Sequence, residues 1–274
     1  MNQKKLISKS KSIRFALGAF VAVWPSIVLA TPPGSEPVQG SPNFNALVLS
    51  AISKMPKKGN YATTRDAAIG LRRSMVCRNG KLVVNAQHAQ PSFCSGATYL
   101  VFLYALKEAE NKRLVKLNQT SAVKLLARGQ ADGFGVWGRW NANGPGTAGL
   151  FYETGIGINF ESYDRAQPGD FMKIFWNDEI GKKERGHSVI YLGRDQKEGE
   201  TWVRFWSSNQ PGGYGEKAVP VRKIKWTIFS RITRPQNVTK VSSLPTSNEF
   251  LADMISKSFT INAVRKKVGI QFDE

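Results

Sequence analysis

Two side chains in this 274-residue chain have the types that covalent acyl chemistry requires, the thiol of Cys94 and the imidazole of His187. A thiolate attacks carbonyl carbon, and an imidazole beside it draws off the thiol proton and later returns one to a leaving amine. Cys94 opens a stretch that is apolar almost all round to Leu106, with Pro91 and Ser92 as start signals and charge returning over Lys107 to Arg113. That pattern predicts a buried helix with the cysteine in its first turn. Unpaired N–H groups at a helix start lower a thiol pKa, and Ser95-Gly96 leaves little bulk beside the sulfur. A lone cysteine here also suits a small buried core residue, so the surrounding elements have to decide.

Those elements include three strand-like runs, Asp170 to Trp176, His187 to Leu192 and Thr201 to Ser207, separated by the polar loops Asn177 to Gly186 and Gly193 to Glu200. This is the pattern of an antiparallel meander, with Lys223 to Ile232 as a fourth strand. In such a meander the head of one strand lies opposite the end of the next, so His187 is expected to face Ser207 to Asn209. Asn209 is the predicted orienter, accepting the second ring N–H of His187, and Ser207 is the fallback. The backbone N–H of Cys94 is the expected oxyanion donor. A side-chain donor is sought among Gln87, His88 and Gln90, where the spacing leaves the choice open and His88 also reads as a surface loop residue.

Upstream, Asn43 to Met55 and Thr64 to Met75 carry helical periodicity, and Asn79-Gly80 marks a small hairpin with Cys77 in or beside a strand. Thr120 to Arg128 predicts a further helix. The stretch from Asp132 to Phe160 is crowded with Gly, Trp and Asn and reads as a long binding loop. In it Trp137, Arg139, Trp140, Asn141 and Asn143 are the predicted substrate contacts, although tryptophans serve equally to anchor a loop on a core. Gly155-Ile156-Gly157 lacks the third glycine and the strand-to-helix setting of a nucleotide loop.

Residues 1–30 have the form of a signal peptide: a basic head (Lys4, Lys5, Lys9, Lys11, Arg14), an apolar run, and Val28-Leu29-Ala30 at the cleavage position. An uncleaved N-terminal anchor is the alternative. Residues 31–41, rich in Pro, Gly and Ser, read as a linker, 42–235 as the single main domain and 236–274 as a C-terminal appendage. The expected location is therefore periplasmic or secreted, with no membrane span after cleavage. The net charge is +19, of which the leader holds five positive charges, leaving +14 on a chain expected to be a monomer. Such a surface draws anionic cell-envelope polymers, and no arginine-rich or RNA-type aromatic motif points to a specific nucleic acid. No Cys or His cluster has metal spacing, and no cofactor is implied.

Three motifs then occur in order: Phe93-Cys94-Ser95-Gly96 before the apolar helix, Pro168-Gly169-Asp170-Phe171 opening a strand, and Gly186-His187-Ser188-Val189-Ile190-Tyr191-Leu192-Gly193. Together they resemble the NlpC-like papain-fold cell-wall peptidases and their CHAP amidase relatives, over roughly Ser92 to Asn209. The resemblance implies an α+β, papain-like core in which a central N-terminal helix packs on an antiparallel β-sheet. It also implies a peptidoglycan hydrolase that cleaves amide bonds in stem peptides or cross-links, with Cys94 as nucleophile, His187 as base and a polar third residue on the next strand. Phe93 departs from the Asp that many of these enzymes have there, and the long insertion between helix and sheet is unusual. The rival reading is a non-enzymatic wall-binding protein on the same scaffold with a Cys77–Cys94 disulfide. Acyl transfer would use the same thiol.

Overall fold

The computed structural model describes residues 44–271, and the expected leader and linker lie outside them. The chain begins with α1 (Phe44–Ile52), whose Phe44, Leu47, Val48 and Ala51 recur at helical spacing and are buried. Then α2 (Arg65–Arg73) starts at Thr64, whose side chain accepts from the Ala67 N–H as an N-cap. The hairpin of β1 (Met75–Arg78) and β2 (Lys81–Val84) turns at Asn79 and Gly80, both at positive φ, and places Cys77 opposite Leu82.

The long helix α3 (Cys94–Asn111) is buried on nearly every side, packed against α1, β2 and the main sheet. Leu100, Leu103 and Leu106 are fully buried. Each such side chain is worth about 1.5–3 kcal/mol of burial, so the helix and its first residue are held firmly in place. A short α4 (Gln119–Lys124) follows, capped by the Asn118 side chain.

The Asp132 to Phe160 stretch is not an open loop. It folds into α5 (Gly135–Asn141), α6 (Gly146–Thr154) and the strand β3 (Gly157–Phe160). Trp137 and Trp140, one turn apart on α5, pack their rings 5.1 Å from Tyr99 and 4.9 Å from Phe102 of α3. The glycines that suggested flexibility serve close approach instead: a Cβ at Gly146 would lie 2.2 Å from the Arg139 carbonyl oxygen.

The remaining strands are β4 (Phe171–Phe175), β5 (Ile180–Gly181), β6 (His187–Lys197), β7 (Glu200–Asn209), β8 (Gly213–Pro220) and β9 (Trp226–Ile232). All but β5 join β3 in a six-stranded antiparallel sheet of order β3-β9-β4-β6-β7-β8. The architecture is thus α+β, and the expected meander is its centre. The edge strands β3 and β8 carry too many Gly and polar residues to show a period-two signal. Alternation along the strands gives the sheet two apolar faces. Phe171, Ile190, Trp206 and Tyr214 meet α3 on one face, while Met172, Val189, Tyr191 and Phe205 build a second core on the other.

Beyond β9 the chain makes a 3-10 turn at Pro235–Ser242, then α7 (Glu249–Asp253), β10 (Ser258–Phe259) and α8 (Ile261–Lys267). Strand β10 pairs with β5, and Leu251, Met254, Val264 and Val268 share a core with Phe175, Ile180 and Trp226. The segment read as an appendage is integral to the domain. Among the described residues no helix is long and apolar enough to cross a membrane.

Candidate active site

Cys94 is the first residue of α3. Phe93 before it is extended (φ −137°, ψ 162°) and offers no side-chain cap, so the N–H groups of the first turn stay available to whatever binds there. His187 is the first residue of β6 and Asn209 the last of β7, and the register that pairs Ile190 with Trp206 brings the two ends opposite each other. His187 Nε2 lies 3.2 Å from Asn209 Oδ1. The Asn209 amide donates from Nδ2 to the carbonyls of Ser207 (3.2 Å) and Gly215 (2.8 Å), which turns Oδ1 toward the imidazole. Phe205 packs edge-on against the ring at 5.7 Å. Ser207, the fallback, instead donates its hydroxyl to the Ser188 carbonyl at 2.7 Å.

With Nε2 directed at Asn209, the other ring nitrogen is left for the sulfur, and His187 stands within hydrogen-bonding reach of Cys94. Burial by itself pushes the Cys94 thiol up. The hydrogen bond and charge of His187, the Lys173 ammonium and the Ser188 N–H outweigh it and bring the thiol down to about 6. Both cysteines are free thiols, so the bridge of the rival reading is absent.

Sequence reasoning missed two neighbours of the sulfur. The first is Tyr61, in a stretch without periodicity. It is delivered by a short parallel bridge to Ser92, with Ala62 N–H donating to Ser92 O (2.8 Å) and Ser92 N–H to Asn60 O (3.0 Å). Its phenol is pushed up to about 12 by burial and by the charge and hydrogen bond of Cys94, and so stays a donor across the ordinary pH range. Gln87, His88 and Gln90 are exposed and line neither groove described below, so the side-chain donor near the sulfur is Tyr61. The second is Lys173, in the middle of β4, where every residue is buried. Burial lowers its pKa against the opposing pull of Cys94 and Glu184. A lysine amid Phe-Met-Lys-Ile-Phe was the one available signal.

Two grooves meet at Cys94. One, of about 620 Å³, is bounded by Tyr61, Phe93, Trp137, Asn141, Lys173 and Arg185. The other, of about 400 Å³, is bounded by Trp176, His187, Asn209 and Lys217, with Glu184 and Arg185 between them. Trp137, Asn141 and Asn143 thus lie where substrate contacts were expected. Asn141 accepts from the Ser95 hydroxyl at 2.6 Å, and Asn143 donates to the Met254 carbonyl at 3.3 Å. Arg139 and Trp140 do not line either groove. Arg139 is 0% exposed, clamped to Glu153 and to the carbonyls of Gly133, Gly135 and Pro245. Trp140 is 1% exposed and donates to the Ser95 carbonyl at 3.2 Å, beneath the start of α3. Both sit on the inward side of α5, because a seven-residue helix packed on α3 has only one outward face.

The Asp of the Pro-Gly-Asp motif is a structural staple. Asp170, 0% exposed, accepts from Arg231 Nε (2.8 Å) and Nη2 (2.7 Å), from Asn45 Nδ2 (2.8 Å) and from the Gln167 N–H (2.8 Å). It ties α1 and β9 to the start of β4. Among the described residues no group of three or more His, Cys, Asp and Glu side chains is placed to hold a metal ion. No family model, curated protein or solved structure matches the chain.

Proposed function

We propose that the protein is an exported cysteine hydrolase of papain-like architecture that cleaves amide bonds in peptidoglycan stem peptides or their cross-links. The observation that carries this reading is the contiguous series Cys94, His187 and Asn209 at the junction of two grooves, with a thiol ionised near neutrality. A thiol on the first turn of a buried helix, facing an imidazole on the head of a sheet strand, supports the papain-like reading. The net charge of +19 suits an anionic polymer as substrate.

In this mechanism the Cys94 thiolate attacks the amide carbon. The oxygen takes up the charge, facing the Cys94 N–H and the Tyr61 hydroxyl, donors of the kind that stabilise a tetrahedral intermediate. His187, held by Asn209, gives its proton to the departing nitrogen, and the acyl group remains on sulfur as a thioester. Water, deprotonated by His187, then releases the carboxylic acid and restores the thiol.

The test is digestion of purified peptidoglycan by the wild type and by Cys94→Ala, with the fragments identified by mass. New amine and carboxyl ends at one stem-peptide amide, absent with the variant, are expected. Undiminished digestion by Cys94→Ala, or none by a folded wild type, would refute the reading. An amine joined to the acyl group in place of water would identify a transferase.

A further inference from the structure

The two grooves at Cys94 differ in chemistry. His187 must hand its proton to the leaving nitrogen, and it lines only the smaller groove, so the amine side of the substrate belongs there. The acyl side falls in the larger groove. That groove is lined by four cationic side chains, Arg65, Arg72, Lys173 and Arg185, and by no Asp or Glu. Among the described residues none of the four forms an ion pair.

Lys173 sets this cluster apart from a basic surface. It is 7% exposed, so its ammonium has given up nearly all its water, and among the described residues it makes no hydrogen bond. The nearest carboxylate is already committed. Glu184 Oε1 accepts from the Gly186 N–H (2.8 Å), and Oε2 accepts from the N–H groups of Trp176 (3.0 Å) and Asn177 (3.2 Å). Gly186, at φ +70°, leaves the room through which the lysine passes, since a Cβ there would lie 2.7 Å from Lys173 Cε. A buried ammonium without a partner is costly unless a ligand supplies the anion. The thiolate answers this need only in the free enzyme, because acylation turns it into an uncharged thioester. A carboxylate on the acyl group would keep Lys173 paired through the whole cycle.

We infer that the larger groove selects an acyl group bearing a free carboxylate, with the Lys173 ammonium as its specificity-determining contact and Arg65, Arg72 and Arg185 drawing the anion in. The inference rests on the amidase reading for the bond that is cut, while the anion site itself is a matter of binding.

The probes are four synthetic dipeptide amides in which a glutamyl residue acylates lysine through its α- or its γ-carboxyl, the other carboxyl being free or amidated. Hydrolysis is measured with the wild type and Lys173→Met, and binding by calorimetry with Cys94→Ala and with Cys94→Ala/Lys173→Met. Methionine removes the buried charge with little change in volume and is expected to fold. For at least one linkage the free carboxylate should be preferred roughly tenfold or more in both kcat/KM and Kd, the scale of one charged hydrogen bond. Lys173→Met should abolish that preference. Equal hydrolysis of acid and amide would leave the amidase reading standing and overturn this inference, as would a preference that survives Lys173→Met. Selective binding of the acids without hydrolysis of any probe or of peptidoglycan would keep the anion site and discard the amidase. Neither binding nor cleavage of any probe overturns the inference.

Discussion

Asn209 Oδ1 lies 3.2 Å from His187 Nε2 and is aimed there by two carbonyls that hold its amide nitrogen. The contact fixes both the rotation of the ring and which nitrogen carries the proton, leaving the other to face the sulfur. Asn209→Ala should lower kcat for peptidoglycan cleavage by about 10²-fold, the lower range for a positioned acid–base group, with KM little changed. Asn209→Asp keeps an acceptor in place and should recover part of the loss. If Asn209→Ala loses its activity only in proportion to lost folded protein, followed by thermal unfolding, the orienting role is excluded.

The Cys94 thiol, lowered to about 6, sets the acid side of the pH profile. A group with a depressed pKa is deprotonated above that value, so alkylation of Cys94 by iodoacetamide should be near its plateau at pH 7. It should fall as pH drops through about 6. His187 supplies the largest part of the lowering, and burial alone acts the other way. In His187→Ala the midpoint should therefore rise above the ordinary thiol value of 9.0, readable by mass spectrometry of the Cys94 peptide. An unshifted midpoint in that variant would separate the imidazole from the sulfur.

The legible parts of this site were those carried by strong local patterns. The apolar run after Cys94 gave a buried helix with the thiol in its first turn, and the meander arithmetic placed His187 opposite Asn209, as the β6 and β7 register has it. Tyr61 was invisible because it reaches the sulfur through one isolated bridge to Ser92, a long-range pairing with no periodic signature. The Gly, Trp and Asn of the 132–160 stretch misled for a different reason. Composition reports loop-forming residues, but these glycines let α5 and α6 touch and these tryptophans fill the space beside α3. The C-terminal segment looked detachable because its short helices pack through a few residues, Leu251, Met254 and Val264, whose partners are far away in sequence.

Tyr61 and the Cys94 N–H together form the expected oxyanion site. A phenol pushed up to about 12 stays protonated, so it donates throughout the working range. Tyr61→Phe keeps the ring and removes only the hydroxyl. It should cost roughly 10²–10³ in kcat, as deleting one oxyanion donor does elsewhere, while KM and the thermal midpoint hold. A rise in KM with kcat intact would make Tyr61 a wall of the groove and leave the oxyanion to the backbone.

Arg139 was expected to touch substrate and is instead sealed inside, with Glu153 holding Nε at 2.8 Å and Nη2 at 3.2 Å. Its remaining donors go to three carbonyls, of Gly133, Gly135 and Pro245, so one side chain joins α5, α6 and the segment leading to α7. Arg139→Met strips all of these acceptors at once and leaves the Glu153 carboxylate, 21% exposed, without its cation. Removing one partner of a buried pair costs about 3–5 kcal/mol. In a domain of this size that corresponds to a drop in Tm of roughly 10 °C, measurable by calorimetry. Activity per folded molecule should remain within about twofold, since a structural clamp contributes stability rather than transition-state contacts. A collapse of kcat/KM with Tm preserved would return Arg139 to the substrate side and require α5 to turn in the working enzyme.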